Sequence, residues 1–142
     1  MVDLGCGNGA LGIIAQRLQP EAQLTYVDES YMAIASAQEN VDTSVQSDFY
    51  ISDSLNQINF ETEKNKPDLI LCNPPFHQAY SIGDQIAWQM LKQSRDVLQR
   101  EGELWIVGNR HLGYQLKMKK LFGNCRTIAG NKKFVVLASK KF

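Results

Sequence analysis

Short apolar runs alternate along this chain with stretches in which apolar residues recur every three or four positions. Residues 1–4 read as the end of a strand. Leu11, Ile14, Ala15 and Leu18 then repeat at helical spacing, and Pro20 stops that helix. Residues 24–27 form a second strand ending at Asp28. Ser30 suits the N-cap of an Ala- and Met-rich helix running to about Asn40. A third strand is predicted at 49–51, a buried fourth at Leu69–Cys72 and a fifth at 104–107. Between the last two, Asp84 is expected to cap a helix whose Ala87, Met90, Leu91, Ser94, Val97 and Leu98 share a face. Tyr114, Met118, Leu121 and Phe122 mark a further helix. Strands at 126–129 and 134–138 flank a Gly130-Asn131 hairpin turn.

Strands alternating with helices predict an α/β, Rossmann-like fold. Its sheet is mostly parallel, with helices on both faces and an antiparallel hairpin at the C-terminal edge. Ligands in such sheets sit beyond the carboxyl ends of the strands, where strand order reverses. Asp3, Asp28, Asp53 and Asn73 each follow a predicted strand, so they gather at that edge.

The 142 residues, 44% hydrophobic and 21% charged, are expected to form one domain over 1–142 with a core that needs no disulfides. No run approaches the roughly 18 apolar residues that span a bilayer, so no membrane partner is expected. Asp3 stands too early for a basic, apolar leader. Three cysteines at scattered positions suggest reduced thiols in the cytoplasm. No metal-ligand set is expected. Because the first residues already lie inside a strand, the sequence reads as a piece of a longer protein with its first strand truncated.

Charge is divided along the chain. Residues 1–103 hold all fifteen acids and six bases, a net of −9; residues 104–142 hold nine bases and no acid, a net of +9. The split fits a polyanionic partner or a solvated lysine-rich face equally well.

Asp3-Leu4-Gly5-Cys6-Gly7-Asn8-Gly9 joins a strand to a helix with glycines that allow positive φ and close ligand approach. Gly7-x-Gly9-x-x-Gly12, with Asp28 downstream, formally matches the dinucleotide fingerprint of a NAD-binding domain. Gly5, Gly7 and Gly9 preceded by an acid equally match an S-adenosylmethionine (SAM) turn. Charge favours SAM: an acid at the strand end suits a sulfonium and an ammonium and opposes a pyrophosphate. Asp28 could accept the ribose hydroxyls and Asp53 the adenine amine, or both could be turn aspartates.

Asn73-Pro74-Pro75-Phe76 is the strongest signal. Two prolines end the strand and hold Asn73 extended, which gives a stiff loop of acceptors. The Asn73 side-chain oxygen and the Pro74 carbonyl can accept both N–H bonds of an exocyclic amine. That localises its lone pair toward a methyl donor, while Phe76 stacks on the base. Cys72 reads as a buried strand residue and Trp88 as core.

The DLGCGNG and NPPF turns together resemble the amino-methyltransferases of nucleic acids and of a protein glutamine. His77-Gln78, the segment 84–90, Asn109-Arg110-His111-Leu112, Phe122-Gly123-Asn124-Cys125 and residues 131–137 are more specific. They resemble the catalytic domain of the SAM-dependent guanine-N2 methyltransferases of 23S and 16S ribosomal RNA. The resemblance implies cofactor roles for Asp3, Gly5, Cys6, Gly7, Gly9, Asp28, Glu29, Asp53 and Asn73, and catalytic roles for Asn73, Pro74 and Phe76. By residue type and position, His77 could contact RNA or shuttle a proton, and Arg110, Lys132 and Lys133, with Lys117, Lys119 and Lys120, are candidates for RNA phosphate contacts. The resemblance implies large-subunit ribosomal RNA as partner, and an additional N-terminal RNA-binding domain. Adenine-N6 or glutamine-N5 methylation is the nearest alternative; a non-catalytic RNA-binding module or a NAD-binding domain is the alternative of another class.

Overall fold

The computed structural model describes residues 1–53, 55–60, 62, 64–75 and 80–142, with side chains from 82 onward in the last stretch. Among the described residues, seven strands form one sheet: β1 (Val2–Leu4), β2 (Leu24–Asp28), β3 (Ser47–Ile51), β4 (Leu69–Cys72), β5 (Glu103–Asn109), β6 (Arg126–Gly130) and β7 (Phe134–Lys140). Their spatial order is β3-β2-β1-β4-β5-β7-β6. The first five are mutually parallel, while β7 runs antiparallel to β5 and β6. The helices are α1 (Ala10–Leu18), α2 (Tyr31–Asn40), α3 (Tyr80–Val97) and α4 (Tyr114–Phe122). Strand order reverses between β1 and β4, so the predicted crevice falls between Gly5 and Asn73. No described helix is long and apolar enough to cross a membrane.

Strand alternation divides the core. Val2, Leu4, Ile70, Cys72, Leu104, Ile106 and Leu137 face α3 and α4. Leu24 and Tyr26 pack with Ile34 and Ala37 of α2 on the opposite face, where Tyr26 stacks on Phe49 at 5.1 Å. On that second face the helices cover β1–β3. Leu71, Trp105, Val107 and Val136 of the neighbouring strands remain half-exposed there. The edge strand β6 carries a bulge between Thr127 and Ala129, which disrupts the row of groups another strand could pair with.

Two helices differ from their sequence pattern. In α1 the repeating apolar residues do not form the buried face: Ile14 is 54% and Leu18 76% exposed, whereas Gly12 and Gln16 are buried. Proximity decides this. A Cβ on Gly12 would lie 2.4 Å from the Tyr26 ring and 2.5 Å from Leu24, so the helix sits too close to β2 for a larger residue. Gly12→Ala is therefore expected to destabilise the fold by about 1–3 kcal/mol in urea unfolding. Asp84, expected as a cap, lies inside α3, which begins at Tyr80; its carboxylate instead pairs with Lys117 of α4. Ser30 does cap α2, its hydroxyl accepting from the Ala33 N–H at 3.2 Å.

Candidate active site

The turn after β1 is held from three sides. The N–H groups of Gly5 and Cys6 donate to the Val27 carbonyl at 2.8 and 3.0 Å. The Gly7 N–H donates to Asp28 Oδ2 at 2.9 Å, and the Ser30 N–H donates to Asp28 Oδ1 at the same distance. Asn40, the last residue of α2, donates its amide to the Asn8 carbonyl at 3.0 Å. Gly5, Gly7 and Gly9 all take positive φ, as the sequence predicts. A Cβ on Gly7 would meet nothing within 4 Å, so the turn leaves open space above it.

Asp3 is 1% exposed. Its Oδ2 accepts the Gly12 N–H at 2.8 Å, placing a carboxylate at the first turn of α1, while its Oδ1 is buried without a hydrogen-bond partner. Burial pushes its pKa up to about 7; the Gly12 bond opposes the rise and the nearby Asp28 adds to it. A buried orphan acceptor beneath an open glycine turn suits a cationic ligand group and disfavours a pyrophosphate. Asp28, half-buried, is engaged by the turn itself through both oxygens, each of which can accept a further hydrogen bond. Glu29 and Asp53 are exposed at the same edge, Asp53 two residues beyond the Asp28–Ile51 pair.

Asn73 lies across the switch point. Leu4 pairs with Cys72, so Gly5 and Asn73 leave adjacent strands together. A Cβ on Gly5 would come within 3.4 Å of the Asn73 carbonyl oxygen. Asn73 is exposed and Pro74 buried, which anchors the loop below an accessible amide. Phe76 and His77 lie outside the described residues.

Cysteine chemistry is disfavoured. Burial, with Asp3 and Asp28 adding to it, pushes the Cys6 thiol up to about 12, and burial raises the wholly enclosed Cys72 further. Neither supplies a thiolate at neutral pH. The described residues contain no group of His, Cys and acids that could hold a metal.

The remaining expectations divide. Arg110 is a brace of the hairpin: its Nε donates to the Asn131 carbonyl, and a Cβ on Gly130 would run into its guanidinium. Lys117 is stapled to Asp84 and to the Leu112 carbonyl, which removes it from the phosphate candidates. Trp88 is half-buried under Lys120, 5.6 Å from its ring, rather than core. Lys132 and Lys133 are exposed at the hairpin tip.

Two supporting residues escape the sequence pattern. Asn40 could be read only as a helix end. Gln93 Oε1 accepts the Leu55 N–H at 3.1 Å and fixes the loop that carries Asp53, a contact across 38 residues with no local signal. A cavity of about 500 Å³ does open, but at the amino edge, among Val2, Thr25, Asp48, Pro67 and Asp68, away from these groups.

A family described as "Methyltransferase small domain" matches residues 1–138. Ribosomal RNA large subunit methyltransferase G of Stutzerimonas stutzeri is 51% identical over 144 residues, and that of Pseudoalteromonas translucida 48% over 146. Each alignment covers 99% of the chain and 37% of the relative, so the chain spans little more than a third of these proteins. Among solved structures, a T. thermophilus 16S rRNA N2 methyltransferase in complex with AdoMet and guanosine superposes with a TM-score of 0.86 at 26% identity, over 99% of this chain and 37% of that one. A ribosomal protein L11 methylase from Lactobacillus delbrueckii, at 18% identity and TM-score 0.74 over 99% and 69%, shares the fold.

Proposed function

We propose, from the premise that the chain belongs to the methyltransferase small domain family, that it forms the catalytic domain of a SAM-dependent enzyme. That enzyme methylates the N2 amine of a guanine in large-subunit ribosomal RNA. The observation that carries this reading is the meeting of two turns at the switch point: the glycine turn with its buried Asp3, and Asn73 across from Gly5.

SAM, when bound, supplies a methyl group made electrophilic by its sulfonium. On the cofactor side, Asp3 and the turn Gly5-Cys6-Gly7 hold its cationic end, Asp28 with Glu29 the ribose, and Asp53 the adenine. On the other side, the Asn73 side-chain oxygen and the Pro74 carbonyl accept the two amine N–H groups and turn the lone pair toward the methyl. Phe76 stacks on the guanine. The high pKa of both nearby thiols supports direct transfer to nitrogen over a covalent base adduct. The chain acts in the cytoplasm, and the parts of the longer relatives beyond it, including an N-terminal RNA-binding domain, add contacts to the RNA.

Labelled SAM and rRNA lacking its natural methylation test the assignment. Nucleoside analysis of the product is expected to show N2-methylguanine. Label in N6-methyladenine, or in a protein glutamine instead of the RNA, would replace this reading with one of its neighbours.

A further inference from the structure

Of the nine bases in residues 104–142, three are compensated by acids and two more have donors engaged by backbone carbonyls. Lys117, Arg126 and Lys140 pair with Asp84, Glu103 and Glu101. Lys141 donates to the carbonyls of Asp96 and Leu98, and Arg110 to that of Asn131. Two exposed pairs are left, Lys119-Lys120 and Lys132-Lys133, and they stand at different levels along the strands. Helix α4 starts at the carboxyl edge after β5 and carries Lys119-Lys120 in its last turn, roughly 10 Å back toward the amino edge. The hairpin tip turns at the carboxyl edge, because Phe134 pairs with Asn109 at the end of β5. Asn73 is level with Val107, as Cys72 pairs with Ile106. The tip therefore stands two strand spacings, about 10 Å, to the side of Asn73, and rises roughly 7 Å or more above it.

The tip is also rigid. Asn131 Oδ1 accepts the N–H groups of Lys133 and Phe134 at 2.9 and 2.8 Å. The Arg110 N–H donates to the Lys133 carbonyl at 3.0 Å, and the Arg110 guanidinium fills the space beside Gly130. Across the cleft, the β1–β3 half of the edge carries Asp28, Glu29 and Asp53, with Asp3 buried behind them. One half is thus acidic and the other basic.

We propose that the braced β6–β7 tip is a phosphate rail. In this reading Lys132 and Lys133 grip the backbone of the RNA strand beside the target nucleotide, Arg110 acts as their brace, and the Lys119-Lys120 pair takes no part. The proposal rests on the RNA reading above and adds where the strand runs. The acidic half repels the same backbone, so the polyanion is confined to the β5–β7 side while a cationic cofactor is drawn to the other.

The test compares Lys132→Gln/Lys133→Gln with Lys119→Gln/Lys120→Gln in binding a protein-free, unmethylated 23S rRNA fragment at several salt concentrations. Each double variant removes two charges, and SAM binding reports folding in both. The tip variant is expected to flatten the slope of log affinity against log salt by about 1.4 to 1.8, at 0.7 to 0.9 per lost phosphate contact. SAM affinity should stay unchanged, and each single tip variant should lose about half of the slope change. The α4 variant should retain the wild-type slope. An unchanged slope in the tip variant, or an equal loss in the α4 variant, overturns the rail. If wild type binds RNA with the expected slopes but transfers no methyl group to it, the enzymatic reading fails and the rail stands.

Discussion

Asn73→Ala is expected to slow methyl transfer to rRNA by about 10²–10³-fold, the size of loss seen when one preorganised hydrogen-bonding partner of a reacting group is removed. A guanine amine is a weak nucleophile because its lone pair is shared with the ring. Removing one of two acceptors leaves that lone pair delocalised and unaimed. Stability should change by under about 0.5 kcal/mol, since Asn73 is exposed at a strand end and the buried Pro74 still fixes the loop. SAM affinity should fall little, because the turn 5–9 is built from β1, β2 and α2. Single-turnover transfer with labelled SAM measures the rate and equilibrium dialysis the affinity. Equal rates in wild type and variant would remove Asn73 from the chemistry.

Asp3→Asn is expected to alter both the pH dependence of folding and cofactor binding. An acid whose pKa rises from 3.8 unfolded to about 7 folded keeps its proton longer in the native state. Between about pH 4 and pH 7 the unfolded chain has released a proton that the folded chain still holds. Stability contributed by this group is therefore present at low pH and is lost as pH rises through that window. The linkage corresponds to at most about 4 kcal/mol. The amide that this substitution introduces would still accept the Gly12 N–H without ionising, so the difference between wild type and variant isolates this one group. Denaturant unfolding from pH 4.5 to 8 should show the variant gaining on wild type as pH rises. SAM binding should move the other way: in wild type it strengthens as pH rises through about 7, and in the variant it is weaker and flat. Parallel pH profiles for the two proteins would refute a buried, cation-facing carboxyl.

The strands were legible because their signals are local. The strand 24–28 and the buried run 69–72 stand where the apolar pattern puts them, and the expected hairpin forms, but it turns over 131–133 because Gly130 still pairs with Val135 in β6. The glycine and Asn-Pro-Pro turns were legible too, since glycine permits positive φ and proline fixes φ, each a local property of the residue. What was hidden depends on distance between elements. Nothing in the sequence shows that α1 approaches β2 so closely that Gly12, and not Leu18, must face it. The −9 and +9 halves are plain in the sequence, but their partial cancellation through Lys117–Asp84, Arg126–Glu103 and Lys140–Glu101 is a product of the fold. Arg110 is the clearest example. Its charge suggests a phosphate contact, and only the packing against Gly130 and Asn131 reveals that it also braces the hairpin.

A crystal structure of the chain with S-adenosylhomocysteine and guanosine tests the central claim most directly. The predicted result is a guanine N2 within about 2.7–3.2 Å of both Asn73 Oδ1 and the Pro74 carbonyl, its free side turned to the cofactor sulfur above Gly5 and Gly7. A sulfur bound elsewhere, or a guanine whose amine points away from residue 73, would contradict it.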